Sequence, residues 1–204
     1  GGDDTIEAGD GVNTITVTDG ENDIDGGEGV DTITAGNGNN TIDGGDGADV
    51  IVSGTGNNTI TNSAGNATIT AGTGNNTVTN TAGSSTITLG NGTNTVNLTA
   101  GNSTVVTGSG ADDINITAGN NDITAGAGND TISLGSGNDT VDAGTGTDAV
   151  DFSVARGTWT GAITGSETVT ATYTGSATID ATGLAGYTTL NVTASDSTAT
   201  TTLK

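Results

Sequence analysis

The chain has 204 residues, 37 of them glycine, with no cysteine, proline, methionine or histidine, and its 24 acidic residues against 2 basic ones give a net charge of -22. One Trp, one Phe and two Tyr leave little with which to fill a compact core, so order requires a repeat that shares its burial or a counterion that cancels the charge. The acidity argues against nucleic-acid and anionic-membrane partners, which both need Lys and Arg; no Cys or His is present for nucleophilic or imidazole chemistry, and nothing reads as a signal peptide or membrane span.

From the first residues, GGDDTIEA, the chain already lies inside a repeat, which reads as a segment of a longer protein. Glycine recurs every nine residues from Gly2 to Gly146, and an Ile or Val follows four residues after each, from Ile6 to Val150. Nine residues are not a whole number of helical turns, and the glycines are too frequent for a helix. Thr59–Thr61 (TIT) and Thr77–Thr79 (TVT) show the polar, apolar, polar alternation of a short strand with one buried face. Ala35, Ala71, Leu89, Leu98, Ile116, Ala125, Leu134 and Ala143, two residues past the Ile or Val, share that face. GNGN and GTGN stretches between strands supply the positive dihedrals of tight turns. One strand and one turn per nine residues predict an all-β fold, a right-handed parallel β-roll or β-solenoid with two strands per 18-residue coil. With strands roughly 4.7 Å apart, residues 1–151 would form a rod on the order of 40 Å long.

Two residues after each register glycine lies a polar turn position, and positions eighteen apart stack along one edge. One edge carries Asp4, five Asn (Asn22, Asn40, Asn58, Asn76, Asn94), then Asp112, Asp130 and Asp148; the other carries Asn13, Asp31, Asp49, Ala67, Ser85, Ser103, Asn121 and Asp139. Stacked carboxylates repel unless a cation lies between them. Calcium, with six to eight hard oxygen ligands at roughly 2.3 to 2.6 Å, suits that gap. The candidate metal residues are therefore Asp31 with Asp49, Asp112 with Asp130, and Asp130 with Asp148, together with Asp139 in a mixed pair with Asn121. Carbonyls of the turn glycines complete the shells: Gly27, Gly29, Gly45, Gly47, Gly108, Gly110, Gly126, Gly128, Gly144 and Gly146. Several Ca2+ ions are expected, mainly near both ends of the roll, and no tight site between about residues 53 and 106, where the position holds only Asn, Ala or Ser. Asn58, Asn76 and Asn94 are placed to form an amide ladder, and Asn62 with Asn80 a second one. The plainer reading of these Asn is their tolerance of left-handed turn conformations.

GGEGVDTIT at residues 26–34 and GGDGADVIV at residues 44–52 match the GGxGxDxUx nonapeptide, and the chain resembles the RTX (repeats-in-toxin) family of secreted bacterial proteins. The resemblance implies calcium-bound parallel β-rolls, export unfolded through a type I secretion channel, and folding outside the cell. The C-terminal secretion signal of that family is not evident.

Weaker signals have plain readings. NxT triplets such as Asn57 to Thr59 follow from placing Asn in a turn before a Thr-rich strand. No complete GxGxxG opens a helix, and DGENDIDGGEG lacks the glycine and terminal Glu of an EF-hand. The paired carboxylates fall on metal turns by their period rather than in a glycosidase pair. Thr59, Thr68, Thr77 and Thr86 begin flat threonine rows of the kind found in some ice-binding solenoids, though Thr is simply a good strand residue. After Asp151 the period breaks, and Phe152, Val154, Trp159 and Ile163 read as a cap on the last coil. Residues 166–204 continue as Thr-rich β structure at a looser spacing of ten or eleven, with Val169, Ile179 and Leu190 inward. Thus 1–151 is expected to be a β-roll and 152–204 a cap with a β-solenoid continuation. Residues 183–193, GLAGYTTLNVT, resemble segments of large bacterial surface-layer proteins. These readings converge on a non-enzymatic, extracellular, calcium-binding structural segment whose partners are calcium and either like subunits or cell-surface polysaccharide. The alternatives are a stalk or ice-binding region of an RTX adhesin and an accessory roll of a type I-secreted enzyme.

Overall fold

A computed structural model describes residues 1–154 and, beyond them, 157–159, 162–164, 168–173, 177–179, 184–185, 189–194 and 201–203. Short strands alternate between two sheets. Thr5–Glu7 opens an 11-stranded sheet and Thr14–Thr16 a 10-stranded one, and successive strands join them in turn. All pairings are parallel, and no described residue is helical. Strand Thr59–Asn62 pairs with Thr77–Asn80, Ile60 lying against Val78; on the other sheet Ile51 lies against Ile69. The coil is the eighteen-residue unit read from the sequence.

The alternation within each strand decides what is buried. Ile33, Ile51, Ile60, Ile69, Ile87, Ile114 and Ile123 are fully enclosed, while the residues on either side, mostly Thr, face outward or are partly covered. Each such Ile contributes roughly 1.5–3 kcal/mol. Ala35, Ala71, Leu89, Leu98, Ile116, Ala125, Leu134 and Ala143 line the same interior. Along the first sheet this second inward position changes character in file: Ala8, Gly26 and Gly44, then buried Asn62 and Asn80, then buried Leu98, Ile116, Leu134 and Phe152.

The glycines answer to two demands. Gly74 has φ 137°, and no described residue other than glycine has positive φ. This overturns the reading of the corner Asn as left-handed turn residues: their backbone is ordinary and their side chains are the reason for them. Stacking is the second demand. Gly72 does not have positive φ, yet a Cβ there would lie 2.6 Å from Gly54 O and 2.8 Å from the Gly54 carbonyl carbon. Gly74, Gly83, Gly92 and Gly101 likewise rest on the carbonyl of the glycine one coil earlier.

Past residue 151 both ladders continue. Ala149–Val154 pairs with Thr168–Tyr173 and that strand with Thr189–Ala194, while Thr140–Asp142 pairs with Ala162–Thr164. A third sheet of Gly157–Trp159, Ala177–Ile179 and Thr201–Leu203 joins them, so the longer coils carry three strands against two in the 18-residue coil. Phe152 and Ile163 are buried. The roles expected for Val154, Trp159, Val169, Ile179 and Leu190 concern side chains outside the described residues.

Replacing Gly72 with Ala is expected to destabilise the fold by about 1–3 kcal/mol through overpacking alone. Thr73→Ala, at the exposed neighbour, should stay within about 0.5 kcal/mol. Urea unfolding in excess calcium measures both, and equal effects would contradict the stacking account.

Candidate metal centre

Through the middle of the roll the corners carry two side-chain ladders that run in opposite directions. On the outer one, Asn57 N–H donates to Asn39 Oδ1 and Asn75 N–H to Asn57 Oδ1, both at 2.8 Å. On the inner one, Asn58 N–H donates to Asn76 Oδ1 at 3.2 Å and Asn76 N–H to Asn94 Oδ1 at 3.1 Å. An Asn doublet therefore ties one coil to the coils on both sides, which the sequence reading of the NxT triplets had missed.

The inner Asn does more. The Asn76 amide nitrogen donates to Gly72 O at 3.0 Å, Gly74 O at 3.0 Å and Asn94 Oδ1 at 3.1 Å. Asn40, Asn58 and Asn94 repeat the pattern, with Asp112 Oδ1 receiving the Asn94 amide at 3.0 Å. The Asn22 amide joins the ladder through Asn40 Oδ1, so the ladder is longer than the one expected from Asn58 onward. Three oxygens converge on one nitrogen at these corners: two glycine carbonyls, four and two residues earlier, and a side-chain oxygen of the next coil. Asn62 Nδ2 meets Asn80 Oδ1 at 3.3 Å, forming the second expected ladder.

Where Asp stands in this position, Oδ1 keeps the ladder. Asp31 N–H donates to Asp49 Oδ1, Asp112 N–H to Asp130 Oδ1, and Asp130 N–H to Asp148 Oδ1, each at 2.8 Å. The other oxygen has no donor to meet. Oδ2 of Asp31, Asp49, Asp112 and Asp130 is buried without a hydrogen-bond partner. The carbonyls at the same offsets belong to Gly27 and Gly29 for Asp31, Gly45 and Gly47 for Asp49, Gly108 and Gly110 for Asp112, Gly126 and Gly128 for Asp130, and Gly144 and Gly146 for Asp148. A carboxylate oxygen in place of a donor NH2 turns a satisfied corner into a set of acceptors, which a bound cation reconciles with the carboxylate ionised.

The donor chemistry fits calcium. Every candidate ligand is a hard oxygen, carboxylate or carbonyl, and the chain has no His or Cys to favour a softer metal. No group of three acidic side chains gathers at a point among the described residues; the sites draw on stacked pairs and backbone. In the N-terminal row the absence of a side chain at Gly26 leaves two oxygens facing one point. A Cβ at Gly26 would lie 2.8 Å from Asp31 Oδ2 and 2.9 Å from Gly44 O. Gly26 and Gly44, each the first glycine of a GG doublet, border the Asp31 and Asp49 carboxylates, and sequence reasoning passed over them. Asp139 is placed differently: its Oδ1 accepts both the N–H and the Nδ2 of Asn121 at 2.9 Å, and Leu134 occupies the slot that Gly26 and Gly44 leave open.

Burial pushes the Asp130 carboxyl up to about 6, and repulsion from Asp112 and Asp148 adds to it against the lowering effect of the Asp112 backbone N–H. Asp49 is raised by burial and then by repulsion from Asp31, Asp43 and Asp46, opposed by the Asp31 backbone N–H. Burial also raises Asp139, opposed by hydrogen bonds from Asn121.

A parallel β-solenoid whose corners present paired, buried carboxylates and glycine carbonyls is a metal-binding β-roll. The chain belongs to the RTX family. The model of the RTX calcium-binding nonapeptide repeat (4 copies) matches residues 1–33, 25–60, 61–84, 88–115 and 116–150. No curated protein and no solved structure matches the chain. Repeats of this family bind Ca2+ and are typically structural, and proteins that carry them are generally secreted. Among the described residues no helix is long and apolar enough to cross a membrane.

Asp130→Asn gives the corner an amide that can donate to the Gly126 and Gly128 carbonyls. It is expected to stabilise the calcium-free chain by about 1–3 kcal/mol in urea unfolding, while calorimetry records less calcium bound. A destabilised calcium-free variant would refute the exchange of amide for cation. The pH dependence has a definite sign. The folded Asp130 carboxyl, at about 6 against an ordinary 3.8, holds its proton longer than the unfolded one, so its contribution to stability is greatest below the ordinary value and is lost as pH rises through about 6. Dialysed, metal-free protein should melt higher near pH 4 than near pH 7, with the difference reduced in Asp130→Asn.

Proposed function

We propose that the chain is a structural calcium-binding segment of a secreted bacterial surface-layer or extracellular matrix protein, which folds and assembles on extracellular calcium. The observation that carries this reading is the set of buried, donorless Oδ2 atoms on Asp31, Asp49, Asp112 and Asp130. In the proposal these Asp, with Asp148 and the paired glycine carbonyls, hold ions toward the two ends of the roll, and Asp139 adds a weaker site. The middle coils, closed by Asn amides, need none. Low calcium inside the cell would leave the acidic ends repelling and loose, and millimolar calcium outside would close them.

The surface-layer context is supported by the likeness of residues 183–193 to such proteins and by the elongated, acidic roll of residues 1–151 with a continuation over 152–204. Its partners would be like subunits or cell-surface polysaccharide. The outer face of the 10-stranded sheet favours a second reading, a stalk or ice-binding region of an RTX adhesin. There Thr32, Val50, Thr68, Thr86 and Thr104 form one file, and Thr34, Val52, Thr70, Thr88 and Val106 another.

Titration of metal-free protein with calcium, followed by circular dichroism and calorimetry and then by electron microscopy, tests both. Cooperative gain of β signal with more than one ion bound, followed by sheets or fibres, is the expected outcome. Soluble monomers that inhibit ice recrystallisation would favour the adhesin. An unchanged fold with no heat of binding would end the calcium reading.

A further inference from the structure

We propose that Asn62 is a cation ligand, its side-chain oxygen closing the N-terminal row of sites by joining Asp49 on the last ion of that row. This rests on the calcium reading above and adds a residue outside the nonapeptide's acidic position. Asn62 is 0% exposed and its Oδ1 has no hydrogen-bond partner. Its amide nitrogen is committed elsewhere, donating to Ala64 O at 3.0 Å and to Asn80 Oδ1 at 3.3 Å. Those two bonds fix which end of the amide is the oxygen and hold it toward the preceding coil.

What it meets there is the other orphan. Asn62 lies one coil beyond Gly44, and a Cβ at Gly44 would sit 2.9 Å from Asn62 Oδ1 and 3.0 Å from Asp49 Oδ2. Two buried oxygens without donors, with Ile51 Cδ1 also at 3.0 Å, therefore surround the point that a side chain of residue 44 would take and that the glycine leaves unfilled. The same place one coil earlier, beside Gly26, is bordered by Asp31 Oδ2 and the Gly44 carbonyl. At the next level the Asn62 backbone carbonyl is turned to the following coil, where it accepts the Thr81 N–H at 3.1 Å. The Asn62 side chain supplies the oxygen instead.

The position also mends a gap in the row. Asp31 receives a second carboxylate from the coil above it, through Asp49. Asp49 receives none, because the residue eighteen further on is Ala67. An amide oxygen from that same coil completes the shell while adding no charge next to the acidic face formed by Asp43 and Asp46. With one carboxylate fewer, this site is expected to be weaker than the one between Asp31 and Asp49.

The test is calcium calorimetry on the full chain, wild type against Asn62→Leu, which copies the Leu98 found in the same file two coils later, and Asn62→Asp. Melting in calcium and in chelator accompanies it, and the calcium-induced shift is read because it cancels any packing or hydrogen-bond loss common to both media. Asn62→Leu should weaken one binding step by about tenfold or abolish it, and shrink the calcium-induced shift. Asn62→Asp should strengthen that step by a similar factor. Wild-type binding steps in Asn62→Leu would overturn this inference alone. If Asn62→Leu does not fold even in calcium, an affinity in Asn62→Asp no higher than wild type overturns it. A wild-type chain that takes up no calcium would overturn the parent reading and this one together.

Discussion

Stacking in register is the constraint from which the rest of this molecule follows. Each residue meets the residue eighteen positions away at one strand spacing, and over much of the roll that neighbour is of the same type. An Ile over an Ile gains from this, since every coil completes the burial of the one before. A polar corner residue does not gain automatically, because two identical acceptors or two identical charges repel. The corners of the roll hold three answers: glycine, which lets carbonyls stack without a Cβ between them; Asn, which is donor and acceptor at once and so satisfies its own copy; and Asp, which does so with only one of its two oxygens.

The distribution of these answers gives the rod its character. Five Asn in file on one edge link their amides from Asn22 to Asp112. On the other edge Ala67, Ser85 and Ser103 stand in the middle, with the Ala67 N–H donating to Ser85 Oγ and the Ser85 N–H to Ser103 Oγ, both at 3.1 Å. The interior coils are neutral at both corners and closed by their own hydrogen bonds. Carboxylates collect toward the ends, where burial and mutual repulsion raise Asp49 and Asp130. Sensitivity to counterions is thereby confined to coils whose loosening need not unravel the middle.

Much of this was legible in the sequence because a fixed period turns position into geometry. The period gave the two-sheet coil, the enclosed Ile and Val, and the two edges on which Asp31 meets Asp49 and Asp112 meets Asp130. What escaped depended on contacts between coils that a linear pattern does not display. Glycine was read for its dihedral freedom, while Gly72 is required by the carbonyl beneath it. The corner Asn were read mainly as turn formers, while their amides face glycine carbonyls four and two residues back. Spacing placed Asp139 with the other acids, although Leu134 fills the slot beside it and Asn121 takes its Oδ1. The third strand of the later coils was hidden because the nine-residue period ends at residue 151, and the glycines beyond it recur at no fixed spacing.

The opposed ladders constrain how such a chain changes length. Loss or gain of a whole coil of eighteen residues leaves each edge facing its own kind, so Asn still meets Asn and the core file is unbroken. Loss of nine exchanges the two edges from that point on, setting the Asn edge of one part against the Ala and Ser edge of the other, so that the amides at the junction lose the Oδ1 acceptor of the next coil. The roll is quantised in double repeats, and length polymorphism among chains of this architecture should come in that unit.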